Sequence, residues 1–212
     1  MQALIFWREE LSMQSNLQIL LTSVSKQNSR WGHSYVAAFT SSRTGEGVTH
    51  VVNSFATELA SKTQQRLIVA DSETLQAVSI SNKSTTKFVQ TSMPNVFELE
   101  GSVEEPPDSG LGYELMQRYP VSRVERAVTN LQALRYAFDF VLIDCSSIAD
   151  SSDAAFLAPA VDGVVLVVEA NKTRGSGVRE SIKTINMAKG NLLGCVLNRR
   201  RYPIPRWIYG RL

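Results

Sequence analysis

The sequence is poor in cysteine and in long apolar runs, and each shortage excludes a class of protein. Only Cys145 and Cys195 stand among 212 residues, too few for a disulfide-stapled domain. Both lie in or beside apolar segments, so we expect two small core residues in a reducing, cytoplasmic protein. No apolar run approaches the roughly 18 residues of a membrane span, and the acid-bearing start is unlike a signal peptide. Any recruitment to the inner face of the cell membrane is therefore expected to go through a partner.

The chain also has little excess of either charge, since its formal net charge is only +2. That value gives no reason to expect a nucleic-acid partner. Five arginines nevertheless fall in the last fourteen residues, namely Arg199, Arg200, Arg201, Arg206 and Arg211. Such a tail can contact acidic lipid or an acidic partner, or it can simply be solvated, and the sequence leaves these alternatives open.

What the chain does contain is an alternation of apolar strands and amphipathic helices. Its polar stretch 72–94 is hard to assign, and the segment GSVEEPPDSGLG, residues 101–112, is predicted to be a loop because it is rich in turn formers. The alternation predicts an α/β fold, with a parallel sheet flanked by helices on both faces. The predicted helices are 3–21, 54–62, 121–136, 153–160 and 176–189, and the predicted strands are 35–39, 67–70, 96–99, 138–144, 163–170 and 192–198.

The first predicted strand runs into TSSRTGEGVT, which has the layout of a phosphate-binding loop. Such a loop reads GxxxxGK followed by Ser or Thr. With Gly47 as the second glycine, Ser42 takes the first position, Val48 the lysine position and Thr49 the magnesium-ligand position. Gly45 and Gly47 let main-chain amides curl around an anion at the start of the next helix. The lysine is missing, and the alternative is that GEG forms only a tight turn into a helix.

Two further predicted strands end on acids. LIVADSE places Asp71 and Glu73 after one buried strand, and FVLID places Asp144 after another. Because ligands of parallel sheets bind beyond the carboxyl ends of the strands, we expect these acids to face the loop. An Asp at a strand end is often only a helix cap or turn former. Three such features in the right order nevertheless favour a P-loop NTPase fold, in which Asp144 would be the Walker B acid that holds magnesium.

Arg43, in the second position of the loop, is the one nearby residue in the sequence that can restore the missing charge. Some P-loop families carry an extra lysine at this position that reaches phosphate, often across a dimer. The alternative is an ordinary solvent-exposed arginine.

These segments resemble the cytoplasmic domain of the bacterial tyrosine autokinases that control capsule and exopolysaccharide export. That family lies within the P-loop ATPases that include the septum-site and plasmid-partitioning ATPases. TSSRTGEGVT is similar to its TSxxPGEGKS loop, and LIVADSE is similar to its LLIDAD motif. FDFVLIDCSS resembles its YDYVIIDTPP segment, and LLGCVLN resembles the GVVLN strand that leads to a basic, aromatic tail.

The resemblance implies a role for each matching residue. Asp71, Glu73 and Asp144 would be the catalytic acids, and Thr49, Asp71 and Asp144 would hold magnesium. Asn198 and Arg199 lie where the family contacts the base. The loop that would surround the phosphates of ATP or ADP consists of Ser42, Arg43, Thr44, Gly45, Glu46, Gly47, Val48 and Thr49.

Departures from the family imply what this chain has lost. Val48 replaces the lysine, Glu73 replaces an aspartate, and Cys145, Ser146 and Ser147 replace Thr-Pro-Pro. The leading hypothesis is therefore a degenerate tyrosine-kinase-like module of exopolysaccharide or capsule biosynthesis and export. Its ATP hydrolysis would be impaired, and ATP or ADP with magnesium would bind weakly or not at all.

Two other functions stay open. The chain could be an active protein-tyrosine autokinase or ATPase in which Arg43 or a partner's lysine replaces Val48. It could also be a partitioning-type ATPase relative that positions a secretion machine. Expected partners are a membrane chain-length or export protein or an active kinase paralogue. A homo-oligomer stays open, because EELSMQSNL lacks the arginines with which the family builds a ring.

The motifs divide the chain into three parts. We expect an N-terminal helix and loop over 1–34, a P-loop NTPase-like domain over 35–198, and a basic aromatic tail over 199–212. Tyr202 and Tyr209 in that tail are too few for the family's tyrosine cluster and resemble packing or anchoring aromatics.

Overall fold

The computed structural model describes residues 34–78, 80, 86–101 and 121–199. The predicted helix over 3–21, residues 102–112 of the turn-rich segment and the tail with Tyr202 and Tyr209 lie outside these residues. The elements below therefore belong to the P-loop-like part of the chain.

Strands and helices alternate along the described chain, as the sequence predicts. In chain order they are β1 (Tyr35–Ser41), α1 (Val48–Lys62), β2 (Leu67–Asp71), α2 (Ser72–Ala77), β3 (Thr86–Gln90), β4 (Val96–Gly101), α3 (Val121–Ala137), β5 (Phe140–Asp144), α4 (Asp153–Leu157), β6 (Gly163–Glu169), α5 (Gly175–Met187) and β7 (Leu192–Asn198).

The strands form one seven-stranded sheet in the order β3-β4-β2-β5-β1-β6-β7. Every neighbouring pair is parallel except β3 with β4, which is antiparallel. The α/β prediction is thus confirmed for a mostly parallel sheet, and the edge strand differs from it. The connection 91–95 is too short for the crossover that a parallel pair needs, so β3 and β4 form a hairpin. Asn95 in that connection has a left-handed φ of 64°.

Helices cover both faces of the sheet, as predicted. On β1, Ala37 and Phe39 pack with α1, whereas Val36 and Ala38 point to the opposite face and pack with α2 to α5. Both faces of the central strands are therefore buried, which explains their almost continuous apolar sequence. Both cysteines are free and buried, as expected for core residues. None of the described helices is long and apolar enough to cross a membrane.

Helix α1 begins earlier than the sequence predicts, at Val48 instead of Ser54. Its first turn, VTHV, mixes polar and apolar residues, so helical periodicity becomes visible only later. Gly47, the residue that precedes it, has a left-handed φ of 88°, a conformation that glycine adopts without steric cost. The helix therefore starts where the phosphate-loop layout ends.

Candidate functional site

The carboxyl ends of three adjacent strands assemble the site. In the parallel register, Asp144 on β5 lies opposite Phe39 on β1 and opposite Asp71 on β2. The loop that follows β1 therefore emerges beside both strand-end acids, as expected from the rule that ligands of parallel sheets bind beyond the carboxyl ends of the strands. The sheet order alone produces this arrangement, because β5 separates β1 from β2.

The loop from Ser42 to Gly47 is shaped by its two glycines. Gly45 has a φ of 84° and Gly47 a φ of 88°, so the chain turns sharply into α1. No side chain caps the N-terminus of α1, and its first turn contains no acidic residue. The free main-chain amides and the positive end of the helix dipole together favour an anion at this point.

Glu46 gives the loop its internal support. The carboxylate is buried, and its Oε2 accepts hydrogen bonds from the main-chain amides of Ser42 at 2.9 Å and Arg43 at 3.2 Å. Its other oxygen, Oε1, accepts a hydrogen bond from the hydroxyl of Thr173, just before α5. Both oxygens of the Glu46 carboxylate are thus used in hydrogen bonds within the protein, and only the main-chain amide of Glu46 can contact a ligand.

Val48, at the lysine position, faces the protein core. Its side chain is only 9% exposed and belongs to the apolar cluster between α1 and the sheet, together with Val51, Val165 and Val196. Burial of a valine side chain contributes on the order of 1.5–3 kcal/mol. The position therefore supports packing and supplies no charge to the loop.

The residues predicted to hold magnesium lie close together. The Thr49 hydroxyl hydrogen-bonds to Asp144, and the Asp71 carboxylate is close enough to act on Asp144 electrostatically. Burial, which is the largest effect, and the Asp71 charge raise the pKa of Asp144 above its usual range, while the Thr49 hydrogen bond opposes them. A hydroxyl and two carboxylates are the hard oxygen ligands that magnesium takes, usually with several waters.

Asp71 is also a helix cap, the alternative that the sequence left open. Its carboxylate accepts hydrogen bonds from the Thr74 amide at 2.9 Å and the Thr74 hydroxyl at 3.3 Å, so it caps α2. Glu73 lies exposed in the first turn of that helix. Three or more Asp, Glu, His or Cys side chains placed to hold a metal by themselves do not occur in the described ranges. The site therefore fits a magnesium ion held mainly through a ligand and water.

Asn198 and Arg199, at the end of β7, clamp the other side of the loop. Asn198 Nδ2 donates to the main-chain oxygen of Glu46 at 2.8 Å, and Arg199 Nη1 donates to the oxygen of Gly45 at 2.7 Å. Arg199 also lies 3.5 Å from Glu169 Oε2. A Cβ atom added to Gly47 would overlap Asn198 Nδ2. Asn198 and Arg199 therefore fix the conformation of the loop through its main-chain oxygens.

Arg43 is placed differently from Arg199. Its amide donates to Glu46, but its guanidinium is exposed and makes no hydrogen bond or ion pair within the part of the chain that the structure describes. The side chain is thus free to meet a ligand or a partner.

Three contacts of the loop were missed by sequence reasoning. Ser42 Oγ accepts from the Ser181 hydroxyl at 3.1 Å, Glu46 contacts Thr173, and Thr44 donates to the carboxylate of Asp150. The partner residues come from distant polar segments without a characteristic spacing, so the sequence carries no signal for these pairs.

No protein-family model matches the chain. Curated relatives do. The tyrosine-protein kinase CpsD of Streptococcus agalactiae is 26% identical over 184 residues, which cover 77% of this chain and 75% of that protein. The succinoglycan biosynthesis transport protein ExoP of Rhizobium meliloti (strain 1021) is 35% identical over 74 residues, covering 34% of this chain and 9% of ExoP.

Solved structures share the fold. The chimerical protein CapA2B2 superposes with a TM-score of 0.72 at 17% identity, covering 95% of this chain and 96% of that one. The septum site-determining protein MinD of Pyrococcus horikoshii, complexed with Mg-ADP, gives a TM-score of 0.55 at 16% identity, covering 84% of this chain and 76% of that one. The structural neighbours establish the P-loop ATPase fold, and by sequence the chain is similar to a bacterial tyrosine-protein kinase and, over a shorter stretch, to a transport protein of succinoglycan biosynthesis.

Proposed function

We propose that the chain is a regulatory or binding module of capsule or exopolysaccharide biosynthesis that binds a nucleotide with magnesium and hydrolyses it poorly. The observation that carries this proposal is Val48. It stands at the lysine position of the phosphate loop, and its side chain is buried in the core below α1.

The missing lysine has a calculable consequence. In an intact loop that ammonium reaches the outer phosphates, where charge builds up during phosphoryl transfer. Removal of one preorganised donor from such a site costs about 2.7–4 kcal/mol, or about 10²–10³ in turnover. A loss of this size suppresses hydrolysis, while the main-chain amides of the loop still provide an anion site.

The remaining residues support binding in an ordered way. The loop amides and the N-terminus of α1 would hold the phosphates, and Thr49, Asp144 and Asp71 would hold magnesium, which neutralises phosphate charge when bound. Asn198 and Arg199 would lie toward the base, where they already fix the loop. Glu73 would be the outermost acid, at the exposed start of α2.

The curated relatives support a proposal about the partner. CpsD is a tyrosine-protein kinase, and ExoP is a transport protein of succinoglycan biosynthesis. We therefore propose that this chain binds a membrane chain-length or export protein, or an active kinase paralogue, at the inner face of the membrane. A second copy of this chain is the alternative partner.

Calorimetry with Mg-ATP and Mg-ADP, together with a steady-state assay of phosphate release, tests the proposal. The expected result is weak binding, in the range of tens of micromolar or above, with no turnover over background. Micromolar affinity combined with steady turnover would overturn it.

An active enzyme is the second candidate, and the preserved magnesium side favours it. An idle site has no catalytic need for Thr49 hydrogen-bonded to Asp144 beside Asp71. In this case Arg43, whose guanidinium is exposed in the loop, or a partner's lysine would replace Val48. Arg43→Ala should then abolish turnover, whereas Arg123→Ala, which removes another exposed arginine on α3, should not. Turnover that survives Arg43→Ala contradicts compensation by this arginine.

A further inference from the structure

An acidic side chain from outside the phosphate-loop motif contacts the loop. Asp150 lies between β5 and α4, and its Oδ2 accepts hydrogen bonds from the hydroxyls of Thr44 and Ser147. Thr44 is the third residue of the loop when Ser42 is counted as the first. The carboxylate is therefore tied to the rim of the segment whose amides would hold a phosphate.

The sheet order determines which end of a ligand Asp150 meets. β5 and β7 lie on opposite sides of β1. Asp144 and Asp150 reach the loop from the β5 side, and Asn198 and Arg199 reach it from the β7 side. A magnesium ion held by Asp71 and Asp144 would neutralise the outer phosphates of a bound nucleotide, so the β5 side, which carries these acids, would be the outer-phosphate side.

Among the residues that the structure describes, no cation is paired with Asp150. Both partners of its carboxylate are neutral hydroxyls, and it forms no ion pair within the described ranges. The hydrogen bonds from Ser147 and then Thr44 hold the pKa of Asp150 below its usual range. The group is thus negatively charged at neutral pH, on the outer-phosphate side of a loop without a lysine.

We propose that Asp150 is a specificity-determining residue that disfavours a third phosphate, so that the loop takes a nucleoside diphosphate in preference to a triphosphate. This inference rests on the proposed nucleotide binding. A nearby like charge disfavours an anion, and the terminal phosphate adds charge on the side where Asp150 lies. Val48 removes the cation that would screen this repulsion, so the two residues act in the same direction.

The test measures affinities for Mg-ATP and Mg-ADP by calorimetry in the wild type and in Asp150→Asn. Asparagine keeps the shape of the side chain and can still accept the two hydroxyl hydrogen bonds. We expect affinity for Mg-ATP to rise about tenfold and affinity for Mg-ADP to rise by less than about threefold, each tenfold step being about 1.4 kcal/mol. Glu125→Gln, which removes an exposed acid on α3, should leave both affinities unchanged.

If Asp150 acts only through its hydrogen bonds and not through its charge, the variants should give a different pattern of nucleotide affinities. Thr44→Val removes one hydrogen bond to Asp150 and keeps the charge. If Asp150 only holds the loop in place, Asp150→Asn, which keeps both hydrogen bonds, should leave the two affinities unchanged, whereas Thr44→Val should lower both. That outcome overturns the charge proposal while nucleotide binding stands. If no variant, Asp150→Asn included, binds either nucleotide at millimolar concentration, the proposed nucleotide binding fails and this inference fails with it.

Discussion

Position 48, where the phosphate-loop layout has a lysine, carries the apolar side chain of Val48. Val48 is nearly buried among the side chains below α1, whereas a lysine at this place would have to turn its ammonium toward the loop and water. The same residue therefore contributes to the stability of the domain and, in the proposed function, accounts for a weak affinity for phosphate. Replacement by lysine should separate the two effects.

Val48→Lys should lower the free energy of unfolding by about 1–2 kcal/mol, because most of the valine burial is lost. It should also raise the affinity for Mg-ATP about tenfold, since one charged donor returns to the outer phosphates. Urea denaturation and calorimetry measure the two quantities. Val48→Ala is the matched control, because it loses similar packing without adding charge. Equal nucleotide affinities in both variants would contradict the assigned role of position 48.

Single residues of the candidate site could be located from the sequence where glycine spacing or the end of a predicted strand marked them. The glycine spacing marked Val48 and Thr49, and the strand ends marked Asp71 and Asp144. The inward turn of the Glu46 carboxylate and the contact of Asp150 with Thr44 were not predictable. Each depends on which of several polar loop residues comes near another in space, and polar loops carry no periodicity from which to infer this.

At the scale of elements, the loop and the end of β7 behave as one unit. Asn198 and Arg199 hydrogen-bond to consecutive loop carbonyls, those of Glu46 and Gly45. The approach is close enough that Gly47 has no room for a side chain, whereas no atom lies within 4 Å of a Cβ added to Gly45. The two glycines therefore differ in their surroundings although both have a left-handed φ.

This difference predicts unequal costs for the same substitution. Gly45→Ala should lower the free energy of unfolding by about 1 kcal/mol, from the left-handed backbone alone. Gly47→Ala should cost about 1–3 kcal/mol more, since the overlap with Asn198 adds to the strain. Thermal or urea denaturation measures both values. In the double variant Gly47→Ala with Asn198→Ala, the extra cost should largely disappear; strict additivity would contradict a close contact.

Elements with long apolar runs were predictable, and short polar ones were not. The sequence located β1, β5, β6 and β7 within a few residues. The stretch 72–94 remained unassigned, yet it contains α2 and β3. The first is a six-residue helix capped by Asp71, and the second, TKFVQ, is an edge strand held by its hairpin with β4. Neither element has enough buried residues to produce a readable pattern.

At the scale of the whole molecule, the amino edge of the sheet is fixed separately from the site. Asp162, just before β6, accepts hydrogen bonds from the Val36 amide and from Arg135 of α3, both at 2.8 Å. The Arg135 and Asp162 side chains are 8% and 4% exposed, so this ion pair is buried. It joins α3 to the sheet at the edge opposite the phosphate loop.

Arg135→Ala should therefore lower the free energy of unfolding by about 3–5 kcal/mol, because it leaves a buried carboxylate without its partner. Lys62→Ala breaks a more exposed pair with Glu58 and should cost less than about 1 kcal/mol. Denaturation curves give both values, and nucleotide affinity measured well below the midpoint should be unchanged in each variant. A cost below about 1 kcal/mol for Arg135→Ala would show that the buried pair does not anchor α3.

The sequence was sufficient for the overall architecture, because alternating strands and helices leave few topologies. The parallel sheet and the two helical layers follow from that rule together with the apolar strands. The antiparallel edge and the Arg135–Asp162 pair did not follow from it, since they depend on loop length and on a distant pair of charges.

The most direct test of the account compares ATP turnover by the wild-type chain with turnover by Asp144→Asn. Any reaction at this site needs the acid that hydrogen-bonds to Thr49 and would hold magnesium. The account predicts that both proteins release phosphate only at the background rate, because the charge missing at Val48 already prevents the reaction. Steady turnover by the wild type that disappears in Asp144→Asn would contradict it.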